Sequence, residues 1–181
     1  MNVSNPSSGI SVICGTDRAG SNSAQVARAY ISILDKKGID NALLDLADIP
    51  KDLQSLGVYG TPGLELRKLV ERHIDPYTKL VFILPEYNGS YPGIAKLFVD
   101  LVHPSHFHGK KVGLVGLSDG HSGNQRGLDH FATVLNYLRA DVLWQKPKLS
   151  NIGERLQGSG HDLDEGSTRQ LMDHADRLVA F

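Results

Sequence analysis

The stretch Leu80–Lys96, LVFILPEYNGSYPGIAK, decides the fold. Leu80-Val81-Phe82-Ile83-Leu84 is an unbroken apolar run, the pattern of a strand covered on both faces. It stops abruptly at Pro85-Glu86-Tyr87-Asn88-Gly89-Ser90. A helix pattern opens at Pro92, a residue suited to the first helical position, and Ile94, Leu97, Phe98 and Leu101 mark its apolar face. Strand, polar loop and helix follow within one short segment.

The same alternation runs outward in both directions. Ile10–Cys14 reads as strand one, and Val26, Tyr30, Ile33 and Leu34 mark helix one, which stops at Gly38. Ala42–Leu46 is strand two. Leu66, Leu69 and Val70 belong to a second helix opening near Thr61-Pro62. Val112–Leu117 is strand four, and Leu128, Phe131, Leu135 and Leu138 line helix four. Asp141–Gln145 is read as strand five, and Leu171, Ala175 and Leu178 as a closing helix. Strands alternating with helices in this way argue for an α/β fold with a parallel sheet covered on both faces. No repeat or linker divides the chain. Residues 1–8 read as a polar, frayed tail and residues 9–181 as one domain.

Composition narrows the function classes. Lys and Arg number 19 against 20 Asp and Glu, so no strong field draws nucleic acid or a membrane surface. No apolar run approaches the roughly 18 residues that a membrane span needs. A single cysteine, Cys14, excludes an internal disulfide and suits a reducing, cytoplasmic compartment. At a strand end it reads as a small buried hydrophobe.

In an open α/β sheet, ligands bind beyond the carboxyl ends of the strands. The site is therefore expected in the loops after strands one, three and four. The first, Gly15-Thr16-Asp17-Arg18-Ala19-Gly20-Ser21-Asn22-Ser23, enters helix one with hydroxyls, an arginine and free backbone N–H groups, the make-up of a phosphate site. Capping by Ser21 or Ser23 explains part of it, but capping does not need Arg18. The second is Pro85–Ser90. A tight turn accounts for its Pro85 and Gly89, whereas Tyr87 and Asn88 suit a flat heteroaromatic with hydrogen-bonding edges. The third is Ser118-Asp119-Gly120-His121-Ser122-Gly123-Asn124. Ser118, Asp119 and His121 include the residue types of a hydrolase triad, but they lie too close in sequence and no G-x-S-x-G elbow is present. His103, His106 and His108 are metal-ligand types, read here as a solvated loop.

The segments GTDRAGSNS, PEYNGSYPGIAK and LSDGHSGNQRG together resemble the NADPH-dependent FMN reductase family, the flavodoxin-like group with chromate, azo-dye and quinone reductases. The likeness runs from Ile10 to the final helix. It implies a flavodoxin-like three-layer sandwich with strand order 2-1-3-4-5, FMN held without a covalent bond, and NADPH or NADH as electron donor. A small-molecule acceptor and a homodimer or homotetramer are implied as well. By the same resemblance Thr16, Arg18, Ser21, Asn22 and Ser23 surround the FMN phosphate. Pro85, Glu86, Tyr87, Asn88 and Gly89 border the isoalloxazine, with Ser118, Gly120 and Gly123 on its other side. No catalytic side chain and no metal is implied. Four features depart from the family's pattern. The first loop carries Thr16 and Ser23 where Ser and Asn are usual. Asn124 follows Gly123 where paired glycines are usual, and Leu101 replaces an aromatic near the subunit contacts. The segment Leu53–Gly63 differs in length and content. A flavin-binding electron carrier is the alternative, but such proteins are typically strongly acidic and use a Thr-rich phosphate loop. This chain is near neutral and has Arg18.

Overall fold

The computed structural model describes residues 7–49, 63–157 and 162–181. Strands β1 (Ser7–Cys14), β2 (Asn41–Asp45), β3 (Tyr77–Pro85), β4 (Lys111–Leu117) and β5 (Asp141–Val142) form a parallel sheet in the order β2-β1-β3-β4-β5. This is the expected order. β3, the strand of the opening stretch, lies at its centre with β1 and β4 on either side. β1 begins at Ser7, ahead of the expected boundary at residue 9.

Alternate residues of the central strands feed two cores, because side chains along a strand point to opposite faces. Leu80, Phe82 and Leu84 enter one core with α2 (Leu64–His73), α3 (Gly93–Leu101) and α4 (Gln125–Tyr137). Val81 and Ile83 enter the other with α1 (Asn22–Lys36) and the closing α6 (Glu165–Ala180). A strand buried on both faces must be apolar throughout, which is why Leu80–Leu84 lacks polar alternation. Phe82 meets Phe131 edge to face at 5.0 Å, and both are fully buried. Burying each such ring contributes about 1.5–3 kcal/mol. Helix α1 is capped by the Ser21 hydroxyl, which accepts from the Ala24 N–H at 3.2 Å. Gly38, with φ of 66°, follows its last turn as anticipated.

The fifth strand differs from expectation. Only Asp141–Val142 pairs with the start of β4, and the chain then leaves the sheet and returns as β6 (Lys148–Leu149) beside the end of β4. The excursion contains Pro147, which has no N–H to give a ladder, and Trp144, which is 75 % exposed. After β6 come a single helical turn, α5 (Ile152–Arg155), and a short antiparallel pair, β7 (Leu156–Gln157) and β8 (Asp162–Leu163). Strand two ends at Asp45, one residue earlier than read. The Asp45 carboxylate accepts from the Ala47 N–H at 3.0 Å and starts a 3₁₀ turn at Leu46. The Thr61-Pro62 helix opening and most of the Leu53–Gly63 segment lie outside the described residues. None of the helices among the described residues is long and apolar enough to cross a membrane.

Candidate functional site

Three loops meet beyond the carboxyl ends of β1, β3 and β4. Gly15 starts the first by donating to the Ile83 carbonyl at 2.9 Å, close enough that a Cβ there would collide with Leu84. Thr16 turns fully inside, and its Oγ1 meets the Tyr87 hydroxyl at 2.7 Å. The next residues, Asp17 to Gly20, are exposed, and the Arg18 guanidinium has no partner among the described residues. Ser21 then closes the loop as the cap of α1, leaving the N–H groups of Asn22 and Ser23 at an uncompensated helix start. No acidic residue occupies that first turn.

The second loop is a hairpin-like turn. Tyr87 and Ser90 exchange backbone hydrogen bonds of 2.8 and 3.1 Å. Between them Asn88 and Gly89 have φ of 51° and 79°. Two successive left-handed residues make a type I′ turn, for which Asn-Gly is the favoured pair. Turn geometry alone therefore accounts for Asn88. Pro85 ends the strand, and the Glu86 N–H donates to the Leu117 carbonyl at 2.9 Å, tying this loop to the end of β4.

The third loop is folded around the Ser118 hydroxyl, which donates to the Gly120 carbonyl and accepts from the Gly123 N–H, both at 2.8 Å. No histidine approaches Ser118 Oγ among the described residues, so the hydrolase arrangement is absent from them. Gly123 and Asn124 have φ of 56° and 63°. Asn124 keeps the left-handed turn that a second glycine would supply, since Asn tolerates this region best after Gly. Its side-chain amide also donates to the carbonyls of Leu84 and Pro85, both at 3.0 Å. Sequence reading missed this role, treating Asn124 only as a departure from paired glycines.

Arg18, Ser21, Asn22, Ser23, Pro85, Glu86, Tyr87 and Ser118 line one cleft. Of the other expected residues, Thr16 lies beneath it and Asn88, Gly89, Gly120 and Gly123 belong to the adjoining turns. Leu117, Asp119 and Ile152 also line it and were not anticipated. Ile152 comes from the connection after the split fifth strand, which carries no periodic signal. The lining combines N–H donors, hydroxyls and a guanidinium from the first loop with a phenol ring, apolar side chains and the carboxylates of Glu86 and Asp119. That donor set fits a phosphate joined to a flat ring. Open space around Gly120, where a Cβ would meet nothing within 4 Å, leaves room beside it.

Other candidate groups are occupied. Cys14 is fully buried at the end of β1, and burial with the nearby Asp45 charge pushes its thiol up to about 12, which keeps it protonated and unreactive. His106 Nδ1 pairs with Asp75 at 2.5 Å and His103 Nδ1 with Ser105 Oγ at 2.8 Å. Among the described residues no three His, Cys, Asp or Glu side chains converge as a metal site.

A family model described as NADPH-dependent FMN reductase matches residues 9–149. A 2-hydroxy-1,4-benzoquinone reductase from a Burkholderia species is 26% identical over 178 residues, covering 95% of this chain and 94% of that relative. An NAD(P)H-dependent FMN reductase from Pseudomonas aeruginosa is 29% identical over 168 residues, covering 88% and 86%. Among solved structures, the flavoenzyme NAD(P)H:(acceptor) oxidoreductase FerB from Paracoccus denitrificans superposes with a TM-score of 0.78 at 20% identity, covering 95% of each chain. A flavodoxin from Bacillus cereus superposes with a TM-score of 0.63 at 16% identity, covering 95% of this chain and 98% of that one, and the fold is flavodoxin-like.

Proposed function

The chain belongs to the NADPH-dependent FMN reductase family and is an oxidoreductase, and from that premise we propose that its three-loop cleft holds FMN without a covalent bond. The observation that carries this reading is the single cleft that joins the start of α1 and Arg18 to Tyr87 and Ser118. A phosphate dianion suits that end, because the α1 dipole and the N–H groups of Asn22 and Ser23 favour negative charge and Arg18 adds charge-assisted donors.

The residues divide by task. Arg18, Ser21, Asn22 and Ser23 take the phosphate end. Pro85, Glu86 and Tyr87 border the ring, and Gly89 lets the turn lie close to it. Thr16 positions Tyr87 through the hydroxyl contact. Ser118 shapes the third loop, so that Gly120 and Gly123 present backbone on the far side. Leu117 and Ile152 exclude water. When bound, FMN supplies two-electron exchange between a reduced nicotinamide nucleotide and an acceptor. NADPH or NADH is the proposed donor, and a quinone, azo compound, metal oxyanion or free flavin the acceptor. The quinone class is supported by the Burkholderia relative's named activity. Donor and acceptor take turns at the flavin, which gives ping-pong kinetics. The proposed unit is one domain spanning residues 9–181, cytoplasmic, and assembled as a homodimer or homotetramer.

The purified protein should be yellow with FMN, or should be stabilised by adding it. FMN at about a hundred times its Kd adds about 2.7 kcal/mol. Colourless protein with no thermal shift in excess FMN contradicts the reading. Initial-rate plots should give parallel lines; intersecting lines would place donor and acceptor in separate sites. Bound FMN that NADPH fails to bleach under anaerobic conditions would favour an electron carrier.

A further inference from the structure

A second cleft adjoins the first and shares one wall with it, Glu86. Its other lining residues are His121, Ser122, Gln125, Arg126 and Asp129. Two carboxylates are already engaged: Glu86 accepts from the Ser122 hydroxyl, and Asp129 pairs with Lys146 at 2.8 Å. Arg126 is exposed and has no hydrogen bond or ion pair among the described residues.

Its position is costly for the fold. Arg126 lies in the first turn of α4, where the helix dipole disfavours a cation, and no acidic residue in that turn offsets it. Nor is its placement loose. Gly127 abuts the second loop so closely that a Cβ there would overlap Asn124 Oδ1, the Tyr91 N and the Ser90 carbonyl carbon. That contact fixes the start of α4 against the Asn88-Gly89 turn. A Cβ added at Gly89 would lie 3.9 Å from an Arg126 guanidinium nitrogen, which sets the guanidinium beside the turn as well as in the lining of the second cleft.

We propose that Arg126 is a specificity-determining residue, receiving an oxyanion carried by the molecule that reaches the flavin through this second cleft. A planar guanidinium suits phosphate or sulfonate, which it binds through two parallel hydrogen bonds. The oxyanion comes either from the nicotinamide nucleotide or from an anionic acceptor. The inference rests on the FMN reading of the first cleft.

Steady-state kinetics on FMN-loaded wild type, Arg126→Ala and Arg126→Lys tests it. One arm compares NADPH with NADH, using 1,4-benzoquinone as neutral acceptor. The other compares 1,4-benzoquinone with 1,4-naphthoquinone-2-sulfonate, using NADH as donor. Arg126→Ala should raise KM about tenfold to a hundredfold for the member of one arm that bears the additional oxyanion, the 2′-phosphate of NADPH or the sulfonate, with a much smaller change for the counterpart that lacks it. Arg126→Lys should recover part of the loss, since it keeps the charge but not the fork. The arm that responds identifies the source of the oxyanion. Equal losses in every combination, or none in any, would overturn the proposal, as would weakened FMN binding by Arg126→Ala, which would place the residue in the cofactor site. Wild type that binds no FMN would instead overturn the reading on which the proposal stands.

Discussion

Thr16 Oγ1 and the Tyr87 hydroxyl lie 2.7 Å apart, joining the loop after β1 to the loop after β3 across 71 residues of sequence. Thr16 has no exposed surface, and apart from this contact its hydroxyl accepts a long hydrogen bond from the Arg18 N–H at 3.4 Å. Tyr87→Phe should lower stability by about 1–2 kcal/mol, because it leaves a buried polar group poorly satisfied. Urea unfolding of Tyr87→Phe, Thr16→Val and the double variant gives the coupling. A value of about 0.5–1.5 kcal/mol is expected. Additive effects would mean that the two loops are not joined through this contact.

The Asn88-Gly89 turn separates backbone need from side-chain contact. At φ of 51°, Ala in place of Asn88 should destabilise the protein by about 1 kcal/mol, since Ala lacks the short polar side chain that lets Asn tolerate the left-handed region. Asn88→Gly should leave stability within about 0.5 kcal/mol of wild type. Thermal denaturation of the two variants checks this order, and Gly proving as harmful as Ala would contradict it.

Asn124 combines the same conformation with two hydrogen bonds. Asn124→Ala should cost about 2–4 kcal/mol, losing both contacts to the end of β3 and straining the turn. Asn124→Gly should recover about 1 kcal/mol of that loss, because it restores the backbone but not the amide. Equal stability of the two variants would show that backbone strain plays no part.

His174 gives the molecule a defined response to acid. It is fully buried on α6, its Nδ1 meets the Tyr30 hydroxyl at 2.8 Å, and its Nε2 has no partner among the described residues. Burial pulls its pKa from 6.5 down to about 4, with a smaller opposing effect from Asp173. Between these values the unfolded chain binds the proton and the folded chain does not, so folding is fully favoured above pH 6.5 and weakens as pH falls toward 4. The loss from this residue is about 3 kcal/mol over that window. His174→Gln, which keeps an acceptor for Tyr30, should flatten the slope of stability against pH by about one proton. An unchanged slope would mean that His174 titrates normally.

The alternation of strands and helices was legible because the strongest signals are local, whereas the sheet order was implied by the family resemblance and not by any single stretch. The apolar runs Ile10–Cys14, Leu80–Leu84 and Val112–Leu117 must be continuous to fill two cores, and each ends where polar loop residues begin. Edge structure was less legible. Asp141–Gln145 has the residue types of a strand, yet Pro147 and the exposed Trp144 break its pairing, and the rejoining at Lys148 depends on contacts with Gly116. Within the site, residue type indicated chemistry but not direction. Thr16 and Ser118 carry hydroxyls suited to a ligand, and the fold turns both toward other protein groups. Asn124 was hidden because its amide acts on carbonyls about 40 residues earlier, a relation that exists only after folding.

Flavin titration of the ligand-free protein, comparing FMN with riboflavin for wild type and Arg18→Ala, tests the central claim most directly. Arg18 is exposed, free of partners among the described residues, and set beside the uncompensated start of α1. If the phosphate lies there, wild type should prefer FMN to riboflavin. Arg18→Ala should weaken FMN by about 10- to 150-fold, corresponding to about 1.5–3 kcal/mol for charge-assisted hydrogen bonds, and change riboflavin far less. Equal losses for both ligands, or no loss for either, would contradict a phosphate held at Arg18 and the start of α1.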